Sequence, residues 1–205
     1  MHWPRTAVRD ILISHIRHAT QGALTLANTQ PFVRQLGARA HVFAHNGNLT
    51  GLEKHAVSMS GQRPVGETDA ERAFCLLLAR LGSAWAGARV PSIEARTAIV
   101  AKFASDMRTL ETANFLYADG DVLFAYGHRR WNQASRAAEP PGLWMLNREC
   151  VHDAPRDGRP VSIVSEVETS LLIASVPLTE ATTWQPLREG ELLISRDGKV
   201  IAQVT

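Results

Sequence analysis

Apolar and polar residues fall into blocks with two different periods. Residues 11–16, Ile-Leu-Ile-Ser-His-Ile, form a short run rich in β-branched side chains that ends at the polar stretch Arg17 to Gly22, the pattern of a buried strand feeding a loop. Residues 41–44, His-Val-Phe-Ala, predict a second short strand running into Asn46-Gly47, a dipeptide that favours turns because both residues tolerate positive φ. From Glu67 to Leu81 the period lengthens: Ala70, Ala73, Phe74, Leu77, Leu78 and Leu81 recur at three- and four-residue steps and predict an amphipathic helix. Thr68 with Glu71 three residues later spells a capping box, so this helix should begin at Thr68. A second helix is predicted over 92–110, with Ile93, Val100, Phe103 and Met107 inward and Pro91-Ser92 marking its start.

Strand signals then return. Residues 114–118 and 122–127 flank an Asp119-Gly120 turn, a polar proline-containing loop covers 129–142, and further strands are predicted at 143–146, 161–164 and 171–175. Residues 191–195 and 199–204 close the chain as a hairpin around Arg196-Asp197-Gly198. Helices grouped between sets of antiparallel strands give an α+β fold. No internal repeat and no Gly- or Ser-rich linker divides the chain, so residues 1–205 read as one domain.

Composition narrows the function classes. With 205 residues, 45% hydrophobic and 20% charged, the chain can bury a sizeable core. The formal charge of +2 comes from 22 basic residues interspersed with 20 acidic ones, so no basic stripe points to nucleic acid or an anionic membrane, and the expected partner is a small molecule. No apolar run approaches a membrane span and the Met1-His2-Trp3-Pro4-Arg5 start has no apolar core, which predicts a cytoplasmic protein. Cys75 and Cys150 stand apart, without the Cys or His grouping of a zinc site or disulfide framework. His15 and His18 at a strand end would point to opposite faces, which is poor ligand geometry, and no metal or other cofactor is expected. Cys75 lies among Phe74 and Leu76 on the predicted helix and reads as a small apolar residue.

Candidate chemistry sits where apolar elements end: Arg17 to Gly22, His45 to Asn48, and Glu67 to Asp69. Each cluster alone has a plainer reading, Asn46-Gly47 as a hairpin turn, Thr68 to Glu71 as a helix cap, and Arg17 as a surface ion pair. Taken in order, His15-Ile16-Arg17-His18-Ala19-Thr20-Gln21-Gly22, His45-Asn46-Gly47-Asn48-Leu49 and Gly66-Glu67-Thr68-Asp69 resemble the glutamine-binding motifs of class II glutamine amidotransferases, the N-terminal nucleophile family. Asn28-Thr29-Gln30-Pro31-Phe32, Ala174-Ser175-Val176-Pro177-Leu178-Thr179, Trp184 and Gly190-Glu191-Leu192 resemble its short stand-alone bacterial branch.

The resemblance implies a four-layer αββα sandwich of antiparallel sheets, and a site for free glutamine or a γ-glutamyl amide. In it Arg17 would clamp the α-carboxylate through paired hydrogen bonds, Thr20 would add a hydroxyl, and Asp69 would pair with the α-ammonium. The Asn46 side-chain amide and the Gly47 N–H would stabilise the oxyanion. The family's nucleophile is a cysteine exposed at position 1, whose own amino group is the base. Here Met1 is followed by His2, so the chain looks N-terminally truncated, without its opening strands. It is expected to be inactive as written, and either to be less stable than a complete domain or to cover exposed sheet edges by self-association, as a possible homo-oligomer. A non-catalytic module binding glutamine or a γ-glutamyl compound is the alternative.

Overall fold

The computed structural model of the protein describes residues 11–16, 23–52, 61–85, 89–149 and 169–205. Eleven strands and two α-helices lie within them: β1 (Phe32–Leu36), β2 (Arg39–Asn48), α1 (Asp69–Gly82), α2 (Ile93–Met107), β3 (Thr112–Ala118), β4 (Leu123–Gly127), β5 (Arg130–Asn132), β6 (Ala137–Glu139), β7 (Trp144–Glu149), β8 (Thr169–Ala174), β9 (Gln185–Pro186), β10 (Glu191–Arg196) and β11 (Lys199–Val204). A six-stranded antiparallel sheet in the order β1-β2-β3-β4-β10-β11 forms the centre. A three-stranded sheet, β8-β7-β9, and the small β5-β6 hairpin accompany it.

Period-2 alternation explains how the central sheet serves two cores. Phe115 and Tyr117 of β3, Phe43 of β2, and Leu192 and Ile194 of β10 join one core with Phe74, Leu77, Phe103 and Met107 of the helices. Intervening Leu116, Ala125 and Leu193 face the other way and pack with Met145, Leu171 and Ile173 of the smaller sheet. The described residues thus stack helices, a large sheet and a small sheet, an α+β architecture of antiparallel sheets as the sequence predicts. Four phenylalanines centre the helix-side core, with ring centroids 5.3 Å apart for Phe43–Phe74, 5.6 Å for Phe43–Phe115 and 5.4 Å for Phe103–Phe115.

Buried charge is neutralised locally. Arg96 of α2, 2% exposed, donates to Asp119 (2.7 Å) and Asp121 (3.1 Å) at the β3–β4 turn, and Asp119 also accepts the N–H groups of Asp121 and Val122. The Asp119-Gly120 turn is therefore fixed from below by a helix, with Gly120 at φ +80°.

Several boundaries differ from the sequence reading. Residues 11–16 form no strand, and Leu12 and Ile16 are 90% and 94% exposed, because β-branched composition makes a strand only where a neighbouring strand supplies the ladder. Strand β1 went unpredicted since the polar pair Arg34 and Gln35 interrupts its apolar pattern, as suits an edge strand. The stretch 129–142 contains the β5-β6 hairpin rather than a continuous loop. The helices begin after the caps predicted, Thr68 and Ser92, and α2 ends at Met107. The strand expected at 161–164 lies outside the described residues, as does Cys150.

Three histidines are buried without charge. His41 Nε2–H donates to the Leu36 carbonyl (3.1 Å), which leaves Nδ1 to accept from the Tyr117 hydroxyl (2.7 Å). Burial holds His41, His45 and His128 below their ordinary value, outweighing the upward pull of Asp119, Asp69 and Glu189 respectively. The unfolded chain therefore takes up these protons first as pH falls, so stability is complete above about pH 6.5 and declines below it as the depressed values are approached. Melting temperatures recorded at about pH 7.5, 6.5 and 5.5, above the carboxylate range, should fall along the series. A flat or rising series would contradict this burial of neutral imidazoles.

Candidate active site

Strand β2 carries Asn46-Gly47 inside the sheet rather than into a turn. The register with β3 runs His45 to Phe115, Asn46 to Asn114, Gly47 to Ala113 and Asn48 to Thr112. The hairpin reading of this dipeptide is thereby corrected: tertiary pairing overrides its local preference. Thr112 shapes the strand end. Its hydroxyl accepts from the Asn48 N–H (2.8 Å), and its carbonyl accepts from His45 Nε2–H (3.2 Å). A Cβ at Gly47 would lie 2.0 Å from that same carbonyl oxygen, and Gly47 holds φ +151°, so glycine is required on both counts.

Two side-chain amides complete the backbone pairing around this segment. Ahead of the start of β1, Gln30 takes over the ladder: its Nε2 donates to the His45 carbonyl (3.1 Å), while its Oε1 accepts from the His45 N–H (2.5 Å). On the other side Asn114, 1% exposed, uses its whole amide. Nδ2 donates to the carbonyls of Asn46 (2.9 Å) and Arg129 (2.6 Å), and Oδ1 accepts from the His128 N–H (2.7 Å). Gly142 packs so closely on Asn114 that a Cβ there would lie 1.7 Å from Oδ1.

Asp69 opens α1 and reaches β2's exit. Its Oδ2 accepts from the Leu49 N–H (2.8 Å) and its Oδ1 from the Ala70 N–H (2.8 Å), which keeps the carboxylate at the positive end of the helix. The preceding loop is held from two directions. Asn28 Oδ1 accepts from the Glu67 N–H (2.8 Å), and a Cβ on Gly66 would lie 2.3 Å from that oxygen. Glu71 accepts from the N–H groups of Val65 (3.0 Å) and Gly66 (2.6 Å) and pairs with Arg34. The predicted capping box is thus half present: Thr68 Oγ1 accepts from the Glu71 N–H (3.3 Å), but the Glu71 carboxylate serves Arg34 and the loop instead of the Thr68 backbone.

Of the residues predicted from sequence, Asn46, Gly47 and Asp69 are drawn together through the Leu49–Asp69 bond, whereas Arg17 and Thr20 lie outside the described residues. Asn46 and Gly47 are exposed and Asp69 is half-buried. An amide and a glycine on one strand end, with a carboxylate fixed beside them, offer hydrogen bonds to a carbonyl oxygen and a counter-charge for a cation. The segment of Asn28 and Gln30 was legible as a family resemblance, but the supporting roles of Asn28, Gln30, Thr112 and Asn114 were not. The available signal was an amide, Asn114, within the apolar run Ala113 to Ala118, since a buried polar side chain in a central strand demands partners. No group of three His, Cys, Asp or Glu side chains suited to a metal occurs among the described residues.

The sequence profile of class II glutamine amidotransferases matches residues 3–205. The chain belongs to this family. The chain is 34% identical over 181 residues to YafJ of Escherichia coli K12, provisionally named a glutamine amidotransferase, covering 88% of this chain and 67% of YafJ. Protein MJ1515 of Methanocaldococcus jannaschii, uncharacterised, is 32% identical over 196 residues, 94% of this chain and 52% of that protein. The chain therefore spans about two thirds of one relative and about half of the other. A predicted glutamine amidotransferase from Pseudomonas aeruginosa PA01 superposes with TM-score 0.63 at 28% identity, over 86% of this chain and 66% of that one. The phosphoribosylpyrophosphate amidotransferase of Bacillus subtilis, at 16% identity and TM-score 0.51, shares the fold, over 93% of this chain and 33% of its own. Among the described residues of this amidotransferase-family chain, no helix is long and apolar enough to cross a membrane.

Two substitutions test how tightly the strand end is specified. Asn114→Leu strands the Asn46 and Arg129 carbonyls and the His128 N–H, and should cost on the order of 3 kcal/mol or more of folding stability. Gly47→Ala adds a clash and an unfavourable φ, and should cost about 2 kcal/mol or more. Urea unfolding of each variant beside the parent measures both, and losses below about 0.5 kcal/mol would show that this segment tolerates rearrangement.

Proposed function

We propose that the chain holds free glutamine, or the γ-glutamyl end of an amide, at the junction of β2 and α1. Asp69 pairs with the α-ammonium, Arg17 clamps the α-carboxylate with help from the Thr20 hydroxyl, and the Asn46 amide and Gly47 N–H receive the γ-carbonyl oxygen. The observation that carries this reading is the fixing of the Asp69 carboxylate on the Leu49 N–H, directly beside the Asn46-Gly47 strand end, in a chain of this family. A cytoplasmic protein acting on a small molecule, as one domain over residues 1–205 and with self-association a possibility, goes with the same reading.

In the family's chemistry a cysteine thiolate attacks the γ-amide to form a thioester and release ammonia, and water then frees glutamate. The first cysteine of this sequence is Cys75, buried in α1, where burial pushes the thiol above its ordinary value and away from the reactive thiolate. Cys75 therefore takes no part in turnover, and the proposed site of this 205-residue polypeptide holds glutamine or a γ-glutamyl compound without it.

Titration calorimetry with L-glutamine tests the reading. Arg17→Lys keeps the charge but loses the paired geometry, Asp69→Asn removes the counter-charge, and each should weaken binding about tenfold or more, as expected for a charged hydrogen bond of about 1.5–3 kcal/mol. A parallel glutaminase assay on the same polypeptide should show no ammonia release. Equal affinities across the series, or cysteine-dependent turnover by the unmodified chain, would overturn the corresponding half of the proposal.

A further inference from the structure

A cavity of about 270 Å³ opens beside the β5-β6 hairpin, lined among others by Arg130, Trp131, Glu139, Pro141, Trp144 and Val176. It is smaller than the roughly 300–1,000 Å³ of drug-sized sites, so its capacity is that of an amino-acid side chain with its backbone. Its position follows from Asn114. Because Nδ2 of that residue donates to both Asn46 and Arg129, the two carbonyls lie within two hydrogen-bond lengths of each other. Arg130, the next residue, begins the cavity wall. The wall is thus tied by one side chain to the strand that carries Asn46-Gly47.

The lining specifies a chemistry. Trp131, on the exposed side of a two-stranded hairpin and 51% exposed, and Trp144 offer ring faces, and prolines supply further flat apolar surface. Arg130 is half-buried and donates through one guanidinium nitrogen to the Ser175 carbonyl (2.8 Å). Among the described residues no carboxylate pairs with it. Its cross-strand neighbour Glu139 is engaged with Asn132 Nδ2 (3.0 Å) instead. A guanidinium with unspent donors favours one anionic group, while the Glu139 carboxylate at the same cavity opposes a second.

We infer that this cavity receives the amine portion of a γ-glutamyl amide, and that the portion it fits is an aromatic amino acid with one free α-carboxylate: the ring against Trp131 and the prolines, the carboxylate on Arg130. The inference rests on the glutamine or γ-glutamyl reading of the adjoining site and adds the substrate class. A γ-glutamyl dipeptide then spans both sites, with its glutamyl end at Asp69 and its aromatic end at the hairpin.

Calorimetry on the full 205-residue chain with three probes tests this: L-glutamine, γ-L-glutamyl-L-phenylalanine, and γ-L-glutamyl-phenethylamide, which keeps the ring and lacks the carboxylate. The dipeptide should bind about tenfold tighter than glutamine, with the phenethylamide between them. Trp131→Ala should weaken the dipeptide at least about fivefold more than it weakens glutamine. Arg130→Gln should abolish the difference between dipeptide and phenethylamide, a ligand-side comparison that holds even where the variant shifts overall affinity. Glutamine binding with the dipeptide no tighter overturns the cavity assignment and leaves the glutamine reading standing. Absence of binding by all three probes overturns both.

Discussion

One hydrogen bond, from the Leu49 N–H to the Asp69 carboxylate, joins the strand-borne half of the site to the helix-borne half. Everything around it serves to hold its two ends. On the strand side, Gln30, Thr112 and Asn114 fill the pairing that the ladder would otherwise lack from His45 to Asn48. On the helix side, Asn28 and Glu71 fix the Gly66–Thr68 turn, so that Asp69 enters α1 at one angle. Since an unsatisfied buried polar group costs about 1–3 kcal/mol, each side chain is worth more for what it prevents than for what it adds.

The hydrophobic cores make this polar assembly possible. Phe74 of α1, stacked on Phe43, and Phe103 of α2, edge-on to Phe43 and Phe115, help hold the helices on one face of the central sheet, and the small sheet covers the other. Strand β3 is buried on both faces, which is where an asparagine such as Asn114 must find every partner within the protein. The outcome is a fully hydrogen-bonded base beneath the exposed Asn46 and Gly47.

Much of this was legible in the sequence, for identifiable reasons. The helices announced themselves because Thr68 and Ser92 cap them and the apolar period is helical, and both caps accept the hydrogen bonds expected. The order of the Asn46-Gly47 and Gly66 to Asp69 segments indicated the family, and the chain belongs to it. What failed was local inference at positions decided by distant partners. Asn46-Gly47 looks like a turn until β3 pairs with it, residues 11–16 look like a strand without a ladder, and Glu71 looks like a cap until Arg34 claims it. Asn114, Thr112 and Gln30 act through segments that sequence spacing does not connect.

If Asn46, Gly47 and Asp69 together form the receiving surface for glutamine, the ligand must change the environment of these backbone and side-chain groups and of few others. Proton–nitrogen correlation spectra of the isotopically labelled chain, titrated with L-glutamine and separately with D-glutamine, measure this residue by residue. The L-enantiomer should shift the Asn46 side-chain amide and the Gly47 and Leu49 N–H signals in a saturable way, and the D-enantiomer should leave them in place. Unmoved signals at these three residues while L-glutamine binds elsewhere, or identical shifts from both enantiomers, would contradict it.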